Sequence, residues 1–178
     1  MLSLHVAPYR LPLAAPFATA AGAIEHRDGL LVRLLDEATG EAGFGEVAPL
    51  PGHGGEPLDA ARGALAQMAA GGAVDEAALL VAASPDGLDP SRPCAHAGLA
   101  LALCDLLARR AGQPLSRWLA PDARQAVAVN ATIGSVSPAE AARRADDALH
   151  AGYRTLKIKV GDAGGTPRVA AVRQAVRA

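Results

Sequence analysis

The sequence predicts an α+β chain whose grammar changes part-way, from an antiparallel meander and a run of helices to alternating strands and helices. Strand-like stretches near residues 3–10, 30–35 and 42–48 follow one another, with turn residues between the last two. Helical spacing of apolar residues then dominates from Leu58 to about Ala111. After Pro121 two strand–helix pairs with short links open a parallel sheet. A chain of 178 residues, 51% hydrophobic and 20% charged, has globular composition and suits one domain, or a domain and a piece of another.

Taken in order, residues 3–10 form the first strand, and Pro8 marks a bend or a sheet edge. Pro12 and Pro16 break that pattern, so 17–22 reads as a loop of small residues. Leu30–Leu35 is the second strand, Asp36–Gly40 its turn, and 42–48 the returning third strand. The proline- and glycine-rich run 49–57 is surface loop. It lacks the G-K-[ST] and G-x-G-x-x-G signatures, which excludes nucleotide binding there. Leu58, Ala61, Leu65 and Met68 mark a helix that Gly71-Gly72 ends, and Asp75 caps a short second one. A third helix runs from Ser91 or Pro93 to about Ala111, with Leu99, Leu103, Leu106 and Leu107 as its buried stripe. Asp105, within it, reads as solvated or paired.

Residues 126–133 form an apolar strand, expected to be buried on both faces. Ser137-Pro138-Ala139-Glu140 has capping-box form and opens a helix that closes at Gly152. A strand over 155–160 and a helix over 166–178 follow.

Net charge of −1 argues against a nucleic-acid partner. Cys94 and Cys104 lack metal-ligand spacing and read as small buried residues of a reduced, cytoplasmic protein. No signal peptide and no membrane-length apolar run is expected. His5, His26, His96 and His150 have no convergent spacing.

Chemistry concentrates in Thr155-Leu156-Lys157-Ile158-Lys159-Val160-Gly161. Alternation puts Leu156, Ile158 and Val160 on one strand face and Lys157 and Lys159 on the other, roughly 7 Å apart. Taken alone, the pair reads first as a solvated strand face, because lysines are mostly exposed. The second reading is functional: neighbouring ammonium groups disfavour each other's charge, and a lysine so perturbed can act as a general base.

Several motifs, in order, resemble the enolase superfamily, in its muconate-lactonising-type subgroup. Residues 27–34 and 43–52 (RDGLLVRL and GFGEVAPLPG) resemble the capping domain of o-succinylbenzoate synthases. Residues 100–108 with Gly112-Gln113-Pro114-Leu115 resemble the helix and turn before the barrel, and Val129-Asn130-Ala131-Thr132-Ile133 its first strand. Lys157-Ile158-Lys159-Val160-Gly161 matches the K-x-K of the second strand. The resemblance implies an α+β capping domain over residues 1–125, an antiparallel meander plus helices. The first two β/α units of a truncated (β/α)-barrel then occupy 126–178. It also implies Lys159 as acid/base catalyst, assisted by Lys157, with Mg²⁺ as cofactor in a dehydration that forms o-succinylbenzoate for menaquinone biosynthesis. Capping loops around 17–22 and 50–54 would shape specificity, with Thr19, Gly22, His53, Asn130 and Thr132 as candidate substrate contacts. The expected partner is a small-molecule carboxylate, and association into a homo-oligomer stays open.

In that family the metal-binding carboxylates lie on the third to fifth barrel strands and a second catalytic lysine on the sixth. A whole barrel takes roughly 250 residues. The sequence is therefore expected to be the N-terminal part of an enzyme, inactive alone, with no metal ligands of its own. Asp162 is a lone carboxylate in a glycine loop, a poor Mg²⁺ site. Two alternatives stay open: a dipeptide epimerase or N-acylamino-acid racemase of the same superfamily, and a non-catalytic capping-domain module.

Overall fold

The computed structural model describes residues 1–19, 22–50, 54–72, 74–84, 87 and 89–177. The chain divides into two compact units, Met1–Pro16 with Glu25–Ala123, and Phe17–Ile24 with Arg124–Ala178.

In the first unit, β1 (Leu2–Thr19), β2 (Gly22–Asp36) and β3 (Ala42–Val47) form an antiparallel sheet in sequential order; the turn ends of β1 and β2 group with the second unit. The β2–β3 register pairs Leu30 with Val47, Val32 with Gly45 and Leu34 with Gly43. Leu30, Val32, Leu34 and Val47 are buried, whereas Leu31 and Phe44, on alternate positions, are about half exposed.

β1 is longer than the sequence suggests and runs through Pro12 and Pro16 to Thr19, so the expected loop over 17–22 is largely strand. The reason is geometric. Pro8, Pro12 and Pro16 share parity, so their missing N–H groups fall on one side of a strand that is itself a sheet edge. Residues 20 and 21 lie outside the described residues.

Helices α1 (Leu58–Ala70), α2 (Glu76–Ala83), α3 (Pro93–Arg110) and α4 (Leu115–Leu119) follow. The Asp75 carboxylate accepts from Ala77 N at 3.2 Å, the expected cap of α2. Ala61, Leu65, Leu99, Leu103 and Leu106 join the core with the sheet residues. The short α4, which the sequence reading missed, carries no buried residue to mark it.

Packing of α3 on β3 uses backbone rather than side chains. A Cβ at Gly45 would stand 1.9 Å from Gly98 O, and one at Gly43 would stand 2.1 Å from Ala102 O. Glycines on both elements thus let helix and strand approach to backbone contact. The α3 N-terminus is capped from afar: the Glu56 carboxylate, 6% exposed, accepts from Cys94 N (3.1 Å) and Ala95 N (2.7 Å). Burial opposes ionisation of Glu56, but these hydrogen bonds outweigh it and its pKa is lowered. Asp105 accepts from Phe44 N (3.0 Å) and Arg109 Nε (2.8 Å), so it is paired, within the expectation.

In the second unit, β4 (Ala131–Ile133) and β5 (Leu156–Ile158) pair in parallel, and α5 (Pro138–His150) and α6 (Gly165–Ala175) follow them. Ser137 Oγ accepts from Glu140 N at 3.2 Å, and Pro138 takes the first helical position. Ile133, Ala141, Ala145 and Val172 are buried together, with Leu156 and Ile158 packed against them. This is the fold class expected: an α+β capping domain followed by two β/α units of a (β/α)-barrel.

Two expectations need correction. The strand over 126–133 shrinks to three residues, and Val127 (73% exposed) and Val129 (63%) are not buried on two faces. Among the described residues only β5 pairs with β4, and the helices cover one face. The strand over 155–160 shortens to Leu156–Ile158 for the same reason, although Lys159 N still donates to Ile133 O at 3.0 Å.

Replacing Gly45 by Ala is expected to destabilise the first unit by about 1–3 kcal/mol or more, since the methyl meets backbone that cannot step aside. Gly63→Ala on α1 meets open space and should be neutral or stabilise by up to ~1 kcal/mol. Urea midpoints of both variants test the contrast. Hydrogen bonds from Arg143 and Arg144 lower the Glu140 pKa from 4.5 to about 2. Its stabilising contribution is thus complete above about pH 4.5 and lost as pH falls through about 2. A carboxyl NMR titration should show Glu140 still ionised at pH 3 at low salt.

Candidate active site

Both strands of the second unit present one apolar and one polar face. The parallel register pairs Thr132 with Lys157 and Ile133 with Ile158. Ile133 is buried and Ile158 half-buried against the helices, so Thr132 and Lys157 are turned away from them and exposed. Asn130 Nδ2 donates to Thr132 Oγ1 at 3.3 Å, which keeps the amide on that side. Lys159, two residues beyond Lys157, shares the parity and is half-buried. The structure therefore brings four sequence-expected residues, Asn130, Thr132, Lys157 and Lys159, to one face of one sheet.

Phe17, in the turn end of the β1–β2 hairpin that belongs to this unit, lies under the Lys159 ammonium. Nζ stands 6.0 Å from the ring centroid, within reach of a cation–π contact. Thr19 ends β1 and Gly22 opens β2 with φ of 123°, a conformation that suits glycine. A Cβ at Gly22 would meet nothing within 4 Å. His53 lies outside the described residues.

The flanks of the 50–54 stretch are held in the first unit. Arg27 donates to Ala48 O (2.8 Å) and Pro49 O (3.4 Å) on one side. Glu56, through the α3 cap, fixes the other. Arg27 carried part of the family resemblance, yet its partners could not be read from the sequence. A groove of about 600 Å³ also lies in this unit, lined by residues including Tyr9, Arg10, Asp28 and Leu58. Its charges are already matched. Arg10 Nε and Nη2 donate to Asp28 at 2.7 and 2.9 Å, and the Tyr9 hydroxyl donates to Glu46. Burial, then that hydrogen bond, pushes the Tyr9 pKa up to about 12. The thiols of Cys94 and Cys104 are raised by burial, which makes them poor nucleophiles.

The described residues do not make a Mg²⁺ site. Among the described residues no three His, Cys, Asp or Glu side chains converge. The Asp162 carboxylate is gripped by Arg168, with both oxygens 3.1 Å from guanidinium nitrogens. That pairing, with a Ser135 hydrogen bond, lowers its pKa.

One signal in the sequence went unused: of its 17 basic residues, 15 are arginine, and the only two lysines are Lys157 and Lys159. Where positive charge alone suffices, this chain uses arginine. Both lysines lie on the one face just described.

Residues 1–105 match the family model described as MenC, N-terminal domain. An L-Ala-D/L-Glu epimerase of Clostridium acetobutylicum is 32% identical over 156 residues, which cover 85% of this chain and 42% of that protein. An o-succinylbenzoate synthase of Thermosynechococcus vestitus is 50% identical over 52 residues, 29% of this chain and 16% of that protein. Among solved structures, the dipeptide epimerase of Enterococcus faecalis, complexed with Mg and the dipeptide L-Leu-L-Tyr, superposes with a TM-score of 0.85 at 28% identity. That match covers 98% of this chain and 50% of the epimerase. The chain spans about half the length of the relatives it matches over most of its own. No described helix is long and apolar enough to cross a membrane.

The 178-residue chain carries three kinds of primary amine: the N-terminus, Lys157 and Lys159. Amine acetylation read by mass spectrometry should modify exposed Lys157 faster than Lys159. Phe17→Ala should raise Lys159 labelling about two- to fivefold, the ratio set by the ~0.5–1 kcal/mol of an exposed cation–π contact. An unchanged ratio would show that the ring does not cover the amine.

Proposed function

Since the chain belongs to the MenC N-terminal-domain family, within the enolase superfamily, we propose that it supplies the lid and the proton-transferring lysine of an o-succinylbenzoate synthase. Lys159, half-buried just past β5 on the sheet face turned away from the helices, is the observation that carries this reading, together with the family match and the 50% identical stretch. Residues 1–125 act as the capping domain and 126–178 as the start of the barrel.

Lys159 Nζ, in its neutral form, takes the proton from the carbon α to the substrate carboxylate. The resulting ammonium returns a proton to the β-hydroxyl, which leaves as water, so a C–H and a C–O bond break and a C=C bond forms. Lys157, two positions away on the same face, offers a fixed positive charge to the carboxylate. Thr132 and Asn130 present hydroxyl and amide groups along the same face and orient the substrate. In this superfamily a divalent ion such as Mg²⁺ stabilises the enediolate. The described residues of this chain do not fit such an ion.

A second reading, a dipeptide epimerase, is favoured by the length of the epimerase matches, 85% of this chain against 29% for the synthase. It uses the same lysine to remove an α-proton. A second acid on the opposite face of the carbon, the role the family gives the sixth-strand lysine, then delivers a different proton and inverts the centre with no hydroxyl expelled.

Expression of the full reading frame that contains these residues, assayed on both substrate types, separates the readings. A synthase forms an aromatic product with a new ultraviolet band. An epimerase instead incorporates solvent deuterium at a dipeptide α-carbon. Absence of both activities would leave a non-catalytic module. In the active form, Lys159→Ala and Lys159→Arg should each lower turnover by about 10²–10⁴-fold with the fold retained. Near-normal rates in either would sink Lys159 as the base.

A further inference from the structure

Arg168, on α6, is 3% exposed, a burial that charged side chains rarely reach unless paired. Its guanidinium joins three segments. Nε donates to Val136 O in the β4–α5 link at 2.8 Å, Nη1 donates to Lys159 O, and Nη1 and Nη2 grip the two Asp162 oxygens. Lys159 is consequently held through both of its peptide groups: its N–H by Ile133 O on β4 and its C=O by Arg168.

That double hold lies beyond the strand proper, which ends at Ile158. α6 is also drawn hard against this point. A Cβ at Gly165 would stand 2.6 Å from Val160 O, and one at Gly164 would stand 3.0 Å from Arg168 Nη2. An ion pair whose carboxylate is solvent-exposed, as that of Asp162 is, contributes little net stability. Stability alone therefore does not explain a guanidinium here. What arginine adds is a rigid planar fork that reaches two carbonyls and a carboxylate at once, which an ammonium or a thioether cannot do.

We propose that Arg168 is a positioning residue for Lys159: its fork, oriented by Asp162, fixes the Lys159 peptide and so the base from which the amine projects. The proposal rests on reading Lys159 as the proton-transferring group, but its structural half can be tested without activity.

Arg168→Met fills the volume and removes the fork; Arg168→Lys keeps charge and bulk and serves if the first variant fails to fold. In the 178-residue chain, amide hydrogen exchange at Lys159 should speed up at least tenfold in both variants. Exchange at the core amides of Ile133, Ala145 and Val172 should stay near the wild-type rate, which a merely structural role would not allow. In the catalytically complete protein, Arg168→Lys should lower kcat by about ten- to hundredfold, as misplacement of a reacting group does, with KM within about twofold. Wild-type exchange at Lys159, or acceleration equal across the core amides, would overturn the clamp. Unchanged kcat in Arg168→Lys, where Lys159→Ala is inactive, would overturn its catalytic consequence. Full activity in Lys159→Ala would instead overturn the base and leave the exchange result standing.

Discussion

Among the described residues each of the two sheets is covered by helices on one face only, and the alternation of strand side chains turns that single coverage into a sorting rule. In the first unit it buries Leu30, Val32, Leu34 and Val47 and leaves Leu31 and Phe44 half exposed. In the second it commits Ile133, Leu156 and Ile158 to the helices, so Thr132 and Lys157 have no choice but the opposite face. A slip of one residue in the β4–β5 register would drive both lysines into an apolar layer built of Ala141, Ala145 and Val172. The desolvation of two ammonium groups forbids that slip, so hydrophobic burial on one side fixes the chemistry on the other.

The same burial explains what was legible from sequence. Period-two alternation and local caps act over a few residues, so β5, Asp75 and Ser137 could be read directly. Pro8 was legible as a sheet-edge residue, whereas Pro12 and Pro16 misled because their meaning depends on whether a strand is an edge, a fact that resides in its neighbours. The apolar run 126–129 at the head of the expected 126–133 strand misled likewise: β-branched composition signals a buried strand, yet burial requires a second covering surface, absent among the described residues. Asn130, Thr132, Lys157 and Lys159 were legible as a shared face through parity and the family resemblance together. Thr19 and Gly22 were placed in a loop and belong to strand ends.

Glu56 and Arg168 were invisible for a different reason. Each is a charged side chain that holds backbone groups far along the chain, 38 and 39 residues away for Glu56 and 32 for one bond of Arg168. No periodicity announces such a contact, because a backbone N–H or C=O is present at nearly every position. Gly43, Gly45 and Gly98 belong with them. Their role is to have no side chain where α3 meets β3, and glycine in a strand reads equally well as a twist or a bend.

The two posts around residues 50–55 carry a consequence for divergence. Arg27 ties down the chain at Ala48 and Pro49, and Glu56 ties it again at the start of α3. Whatever lies between them can lengthen at a closure cost that grows only as the logarithm of its length, ~0.6 kcal/mol per doubling. The segment is thus a cassette: natural insertions and deletions there can be absorbed while the core is left untouched.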